Sequence, residues 1–177
     1  MKIGITGHSK GLGAELAEYY SSQGHDVLGW SRSNGFDLNN TLPIVAKQCE
    51  ECDIIFNNAP GYFQYELFQL LAGSAKLQNN HSVIVNISSL ASRFGVSQSM
   101  AYAAHKAALD TATLSYQLWG SRWPAALLIR PGYFTGERSA HKKVQHVDVH
   151  AVMHTIINAV EAAYNDRYRI NEITIVR

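Results

Sequence analysis

Short apolar runs alternate with stretches of helical periodicity along the whole chain, and this alternation limits the fold more than any other feature. "KIGIT" at 2–6 is β-branched, and Leu12, Leu16, Tyr19 and Tyr20 then recur at helical spacing over 11–22, up to Gly24. Asp26–Trp30 reads as a second strand, with a remnant third strand near Phe36 and Asp37. A helix over 41–51 holds Pro43 in its first turn, where proline is tolerated. "DIIFN" is a strand, 63–77 a helix, and "SVIVNIS" an apolar run of the kind found in parallel strands covered on both faces. A long helix over 99–119, the strand "AALLIR", a helix over 147–165 and the strand "NEITIV" complete the chain. Repeated βα units of this type predict an α/β fold with a single doubly wound parallel sheet and helices on both faces. With 177 residues and neither repeats nor linkers, one domain over 1–177 is expected.

Sheets of this kind bind ligands at the carboxyl ends of their strands. The first of those ends carries "TGHSKGLG", in which Gly7, Gly11 and Gly13 follow a strand and open a helix. A dinucleotide needs that context: a tight turn, close approach of backbone to pyrophosphate, and a helix N-terminus facing the anion. The spacing is neither Gly-x-Gly-x-x-Gly nor that of a Walker loop. Its place between strand and helix nevertheless predicts nucleotide binding by Gly7, Ser9, Lys10, Gly11, Leu12 and Gly13.

"TGHSKGLG", "NNA", "VIVNISS", "YAAHK", "RPGYFT" and "NEITI" follow one another in the order, and nearly the spacing, of the short-chain dehydrogenase/reductase family. The chain resembles that family over almost its whole length, in the ordinary glycine-pattern subclass. The resemblance implies a Rossmann-type fold, a nicotinamide cofactor, and interconversion of a carbonyl and an alcohol by hydride transfer. In the family a serine ending a strand lies thirteen residues before a tyrosine, and a lysine four after it. Ser89, Tyr102 and Lys106 have those separations. Ser88 is off by one, and neighbouring strand residues face opposite ways.

These residue types suit the chemistry. A tyrosine hydroxyl can protonate a carbonyl oxygen and its conjugate base can take the proton back. Its ordinary pKa of about 10 is too high for a base at neutral pH, and a nearby cation lowers it. Lys106 lies one helical turn from Tyr102 and can supply that charge, and its ammonium can also bind the nicotinamide ribose. Ser89 would hold the substrate oxygen. The resemblance extends cofactor contacts to Asp37 and Leu38 at the adenine, to Asn57, Asn58 and Ala59, and to Pro131, Gly132 and Thr135.

Two positions bear on which dinucleotide is used. An NAD site places an acid at the end of the second strand to hold the ribose hydroxyls. Here Ser31 takes that place, Arg32 follows, and Lys10 in the glycine turn is a second cation. An acid would repel a 2′-phosphate and an arginine can pair with it, so NADP(H) is the expected cofactor.

The chain also departs from the family. Pro60 stands where a glycine is expected, and the Asn57–Ser89 stretch is shortened. Gln64 falls where the family has a catalytic asparagine, and only Gly136 to Val147 replaces the substrate-covering segment. A second reading therefore stays open: a non-catalytic NADP(H)-binding sensor or interaction module on the same fold.

Other classes are disfavoured. A net charge of +1 gives no electrostatic case for nucleic acid or an anionic membrane. No apolar run approaches a membrane span, and "MKIGITGHSKG" lacks a secretory h-region, so a cytoplasmic location is expected. Cys49 and Cys52 sit at a helix end, the wrong place for a redox pair, and read as packed thiols. His146, His150 and His154, spaced by four, could line a helix face that holds a metal. A polar helix face is the reading adopted, with no metal expected. Small and apolar residues on the helices 63–77 and 99–119, among them Leu70, Met100 and Leu118, predict a homodimer or homotetramer.

Overall fold

The structure, a computed structural model, describes residues 1–94, 99–119, 123–133, 146–166 and 170–176. Among the described residues, six strands form one sheet: β1 (Lys2–Thr6), β2 (Asp26–Trp30), β3 (Ile54–Asn57), β4 (Val83–Ile87), β5 (Ala125–Pro131) and β6 (Glu172–Ile175). Their order is β2-β1-β3-β4-β5-β6, and every neighbouring pair is parallel. The helices are α1 (Leu12–Ser22), α2 (Leu38–Cys49), α3 (Phe63–Ala72), α4 (Ala75–Asn79), α5 (Ala91–Phe94), α6 (Met100–Trp119) and α7 (Val149–Tyr164).

Strand alternation sorts the core into two layers. Ile3, Ile5, Ile54, Phe56, Val83, Val85, Leu127 and Ile129 pack with Leu16 of α1 and Val152, Ile156 and Val160 of α7. On the opposite face, Ile55, Ile84 and Ala126 pack with Val45 of α2, Leu67 and Leu71 of α3 and Leu109 of α6. β3 and β4 are buried along their whole lengths, as their unbroken apolar sequences require.

Three expectations need correction. Phe36 and Asp37 form no third strand: Arg32–Asn34 make a 3-10 turn, Gly35 takes φ 88°, and Asp37 caps α2 by accepting the Asn39 N–H at 3.1 Å. The run is too short to reach the sheet edge once a cap has claimed Asp37. Because α2 starts at Leu38, Pro43 lies in its interior rather than its first turn. The helix expected over 63–77 breaks at Gly73, and Ser74 caps the short α4 with its hydroxyl. Among the described residues, no helix is long and apolar enough to cross a membrane.

Candidate active site

In this strand order, β1 continues to β2 on one side while β3 lies on the other. The carboxyl ends of β1 and β3 therefore flank a topological switch point. Thr6 joins the two ends. Its hydroxyl oxygen accepts the N–H groups of Asn58 (2.9 Å) and Ala59 (3.0 Å), and the Asn58 amide donates to the Thr6 carbonyl at 3.0 Å. Thr6 is fully buried, and the sequence alone marked it only as the last residue of a strand.

The glycine turn grows from this junction. Gly7 and Gly11 have φ of 71° and 54°, a region that residues with a Cβ rarely enter. A Cβ on Gly13 would run into the Gly7 carbonyl and come within 2.7 Å of the Asn58 amide nitrogen. The turn and the start of α1 are thus pressed together. No side chain caps α1 at Gly11. An uncapped helix start behind a glycine cradle, with Ser9 and Lys10 exposed on the turn, fits the pyrophosphate of a dinucleotide. Leu12 points into the core instead, at 3% exposure.

At the end of β2, Arg32 is exposed at the head of the 3-10 turn. The Ser31 hydroxyl lies 2.7 Å from that of Ser33, and the Ser31 N–H donates to the Asn34 side chain at 2.9 Å, so Ser31 is engaged in building the turn. Asp37 caps α2 and Leu38 is buried in the α2 core layer. Gly132 is tied to β6 by its N–H, which donates to the Ile175 carbonyl at 2.8 Å, and the Pro131 carbonyl accepts from Leu90 at 3.3 Å. Thr135 lies outside the described residues.

The Tyr–Lys pair converges on α6. The Lys106 Nζ lies 5.6 Å from the Tyr102 ring centroid. Lys106 is only 3% exposed, and its ammonium donates to Gln64 Oε1 at 2.6 Å and to the Ile87 carbonyl at 2.7 Å. Gln64 is itself fixed, since its Nε2 donates to the Asn57 carbonyl at 2.7 Å and the Ile87 carbonyl at 3.2 Å. Asn57 donates to the Gln64 carbonyl (2.8 Å) and to Asn86 (2.9 Å), and Asn86 donates to Thr113 on α6 (2.9 Å). Asn57 therefore lies in a buried polar chain, while Asn58 and Ala59 bond the glycine turn through Thr6. This chain of amides was not legible in the sequence beyond the odd position of Gln64.

Ser89 leaves β4 half-buried, and its hydroxyl oxygen accepts the Ala91 N–H at 3.2 Å. Ser88 is buried and donates its hydroxyl to Asp110, away from Ser89. The side chain of Tyr102 is half-buried, and its backbone N–H donates to Ser99 at 3.2 Å.

The remaining sequence candidates separate. Cys49 and Cys52 are buried, and burial raises both thiols, Cys52 to about 12. His150 Nδ1 lies 3.6 Å from Glu15, His154 packs edge-on to Tyr19, and His146 lies beside Tyr133. Among the described residues no three ligating side chains converge. His105 packs at a tilt against Tyr62, with ring centroids 5.4 Å apart.

No family model matches the sequence, and no curated protein matches it either. Solved structures do match. The chain is similar to a 3-alpha-hydroxysteroid dehydrogenase from a Pseudomonas species complexed with NADH, at 16% identity and TM-score 0.79, covering 99% of this chain and 95% of that one. A short chain dehydrogenase from Burkholderia cenocepacia in complex with NADP matches at 21% identity and TM-score 0.73, covering 99% and 88%. Serine dehydrogenase from Escherichia coli matches at 16% identity and TM-score 0.74, covering 99% and 97%. With a parallel sheet, a glycine turn at its switch point and these structural relatives, the chain carries the short-chain dehydrogenase/reductase fold.

Proposed function

We propose that the protein is an oxidoreductase of the short-chain dehydrogenase/reductase family, interconverting a carbonyl and an alcohol with NADP(H). The observation that carries this reading is the buried Lys106 ammonium held beside the Tyr102 ring. A pure nucleotide binder has no need of a tyrosine next to a sequestered cation.

When bound, the nicotinamide supplies or accepts the hydride. Gly7, Gly11, Gly13 and the start of α1 receive the pyrophosphate, and Asn58 and Ala59 border it. Tyr102 donates its hydroxyl proton to the carbonyl oxygen during reduction and takes it back during oxidation. Lys106 places a positive charge beside the Tyr102 ring, where it can stabilise negative charge developing on the phenol oxygen. Ser89 accepts from Ala91, leaving its own O–H to donate to the substrate oxygen.

The preference for the phosphorylated dinucleotide rests on Arg32, exposed at the end of β2, and on Lys10 in the glycine turn. Losing a charge-assisted pair to the 2′-phosphate costs about 1.5–3 kcal/mol. Nucleotide fluorescence titration should therefore give tighter binding of NADPH than NADH, and Arg32→Ala should erase the difference. Equal affinities in the wild type would refute the choice.

Catalysis is tested by hydride transfer from NADPH to a panel of carbonyls in single turnover. Tyr102→Phe should lower the rate by roughly 10²–10⁴, the worth of a positioned acid, and leave nucleotide affinity alone. Lys106→Ala should damage both. Wild-type rates in Tyr102→Phe would favour the binding-module reading. Exposed Met100, Leu118 and Trp119 on α6 and Leu70 on α3 support pairing of two copies through these helices. Light scattering at micromolar concentration should report a dimer or tetramer, and a monomer would end that idea.

A further inference from the structure

One carboxylate outside the Tyr–Lys pair touches the serine turn from two sides. Asp110 lies on α6, one helical turn beyond Lys106 and two beyond Tyr102, and it is buried at 6% exposure. The Ser88 hydroxyl donates to its Oδ1. The Ser92 hydroxyl lies 2.7 Å from its Oδ2 and also 2.7 Å from the Ser89 carbonyl oxygen, so one proton is shared between the two acceptors. Ser88 and Ser92 bracket Ser89. Behind the carboxylate, the fully buried Arg130 donates its Nε to Oδ2 at 2.5 Å and its Nη1 to Glu172 at 2.7 Å. Arg93, on the same short α5 as Ser92, closes the ring by donating to Glu172 at 3.0 Å.

Helix α6 carries Tyr102 and Lys106, while Ser89 sits on a separate turn between β4 and α5. Something must hold that turn in register with α6. Among the described residues, the hydroxyl of Ser89 makes a contact within its own turn, to Ala91. Among the described residues, the side-chain hydrogen bonds from Ser88 and Ser92 to α6 both end on Asp110, beside the bond from Lys106 to the Ile87 carbonyl at the end of β4.

We infer that Asp110 is a positioning residue, which fixes the Ser89 hydroxyl relative to Tyr102 by gripping Ser88 and Ser92. The inference rests on the catalytic reading above. It assigns Ser88 and Ser92 a purpose without placing either against the substrate. It also explains a buried carboxylate on the sheet-facing side of α6, where packing alone would take an apolar residue.

Removing Asp110 itself would strand the Arg130 charge and risk the fold, so the test removes the grips. Ser88→Ala/Ser92→Ala keeps the Asp110–Arg130 pair. Three quantities are measured on the full chain: NADPH affinity by fluorescence titration, single-turnover hydride transfer, and thermal midpoint. The double variant should bind NADPH as the wild type does and transfer hydride about tenfold to a hundredfold more slowly, as a small misplacement of a reacting group does. Ser88→Ala/Ser92→Thr, which restores one hydroxyl, should recover part of the rate. Val45→Ala in the α2 core lowers the midpoint without touching the turn, and it should keep the wild-type rate. A double variant as fast as wild type, beside an impaired Tyr102→Phe, overturns the role of Asp110 alone. A slow double-alanine variant with no recovery in Ser88→Ala/Ser92→Thr, or a Val45→Ala equally slow, also overturns it. Tyr102→Phe as fast as wild type overturns the catalytic reading and this inference together.

Discussion

Replacing Gln64 by Leu should cost the fold about 3 kcal/mol, because the side chain acts at three buried contacts. Gln64 is 1% exposed and takes the Lys106 ammonium on its Oε1 at 2.6 Å. A hydrogen bond to a charged group contributes about 1.5–3 kcal/mol, and leucine removes it while keeping a similar volume. The two bonds donated by Nε2 go to the carbonyls of Asn57 and Ile87 and contribute about 0.5–1.5 kcal/mol each. Ile87 still accepts from Lys106, so the second of these is only partly lost. These ranges sum to between about 2.5 and 6 kcal/mol, and the partial loss at Ile87 and the added packing of leucine bring the expected cost to about 3 kcal/mol, near the lower end. For a domain of this size, 1 kcal/mol moves the thermal midpoint by about 2–4 °C, so a fall of about 6–12 °C is expected. Urea unfolding at pH 7, followed by circular dichroism with and without NADPH, gives the free energy directly. Gln64→Glu keeps an acceptor for the ammonium and should lose less stability than the leucine variant. A leucine variant within 1 kcal/mol of wild type would refute the claim that this amide holds the lysine.

Gly13→Ala should weaken dinucleotide binding and lower stability, since its methyl group would meet the Gly7 carbonyl and Asn58 in a packed turn, and overpacking typically costs about 1–3 kcal/mol. A nucleotide titration with unchanged affinity would count against the cradle. Acid should weaken the fold in part through Glu172, whose carboxyl is held below its ordinary value by the hydrogen bond from Arg130. A depressed folded-state value means that this stabilisation is complete above the unfolded value of about 4.3 and fades as pH falls through the folded one. Urea midpoints measured from pH 6 to pH 3 should therefore fall less steeply in Glu172→Gln, and parallel curves would contradict the assignment. Native protein should resist alkylation at Cys49 and Cys52, because burial raises both thiols and hides them. Rapid labelling counted by mass spectrometry would show that the region opens.

The sequence by itself determined the six strands of the sheet and the order of its main helices, because those follow from local pattern. Apolar runs such as "VIVNI" need cover on both faces, helical spacing needs one face buried, and three glycines between a strand and a helix need positive φ or close approach. The separations of Ser89, Tyr102 and Lys106 were legible for the same reason: they are distances along the chain. Tertiary structure decided what those side chains meet. Asp37, expected to contact the adenine, also caps α2, since the chain turns there before it can form a strand. Asn57 was expected against the cofactor and is buried, because its place at the end of β3 turns it toward Gln64 and Asn86. Gln64, Asp110 and Arg130 come from α3, α6 and β5, and hydrogen bonds between residues 20 and 42 positions apart leave no periodic trace. Burial of a polar group requires a partner from whichever element packs on it, and only the folded sheet determines which element that is.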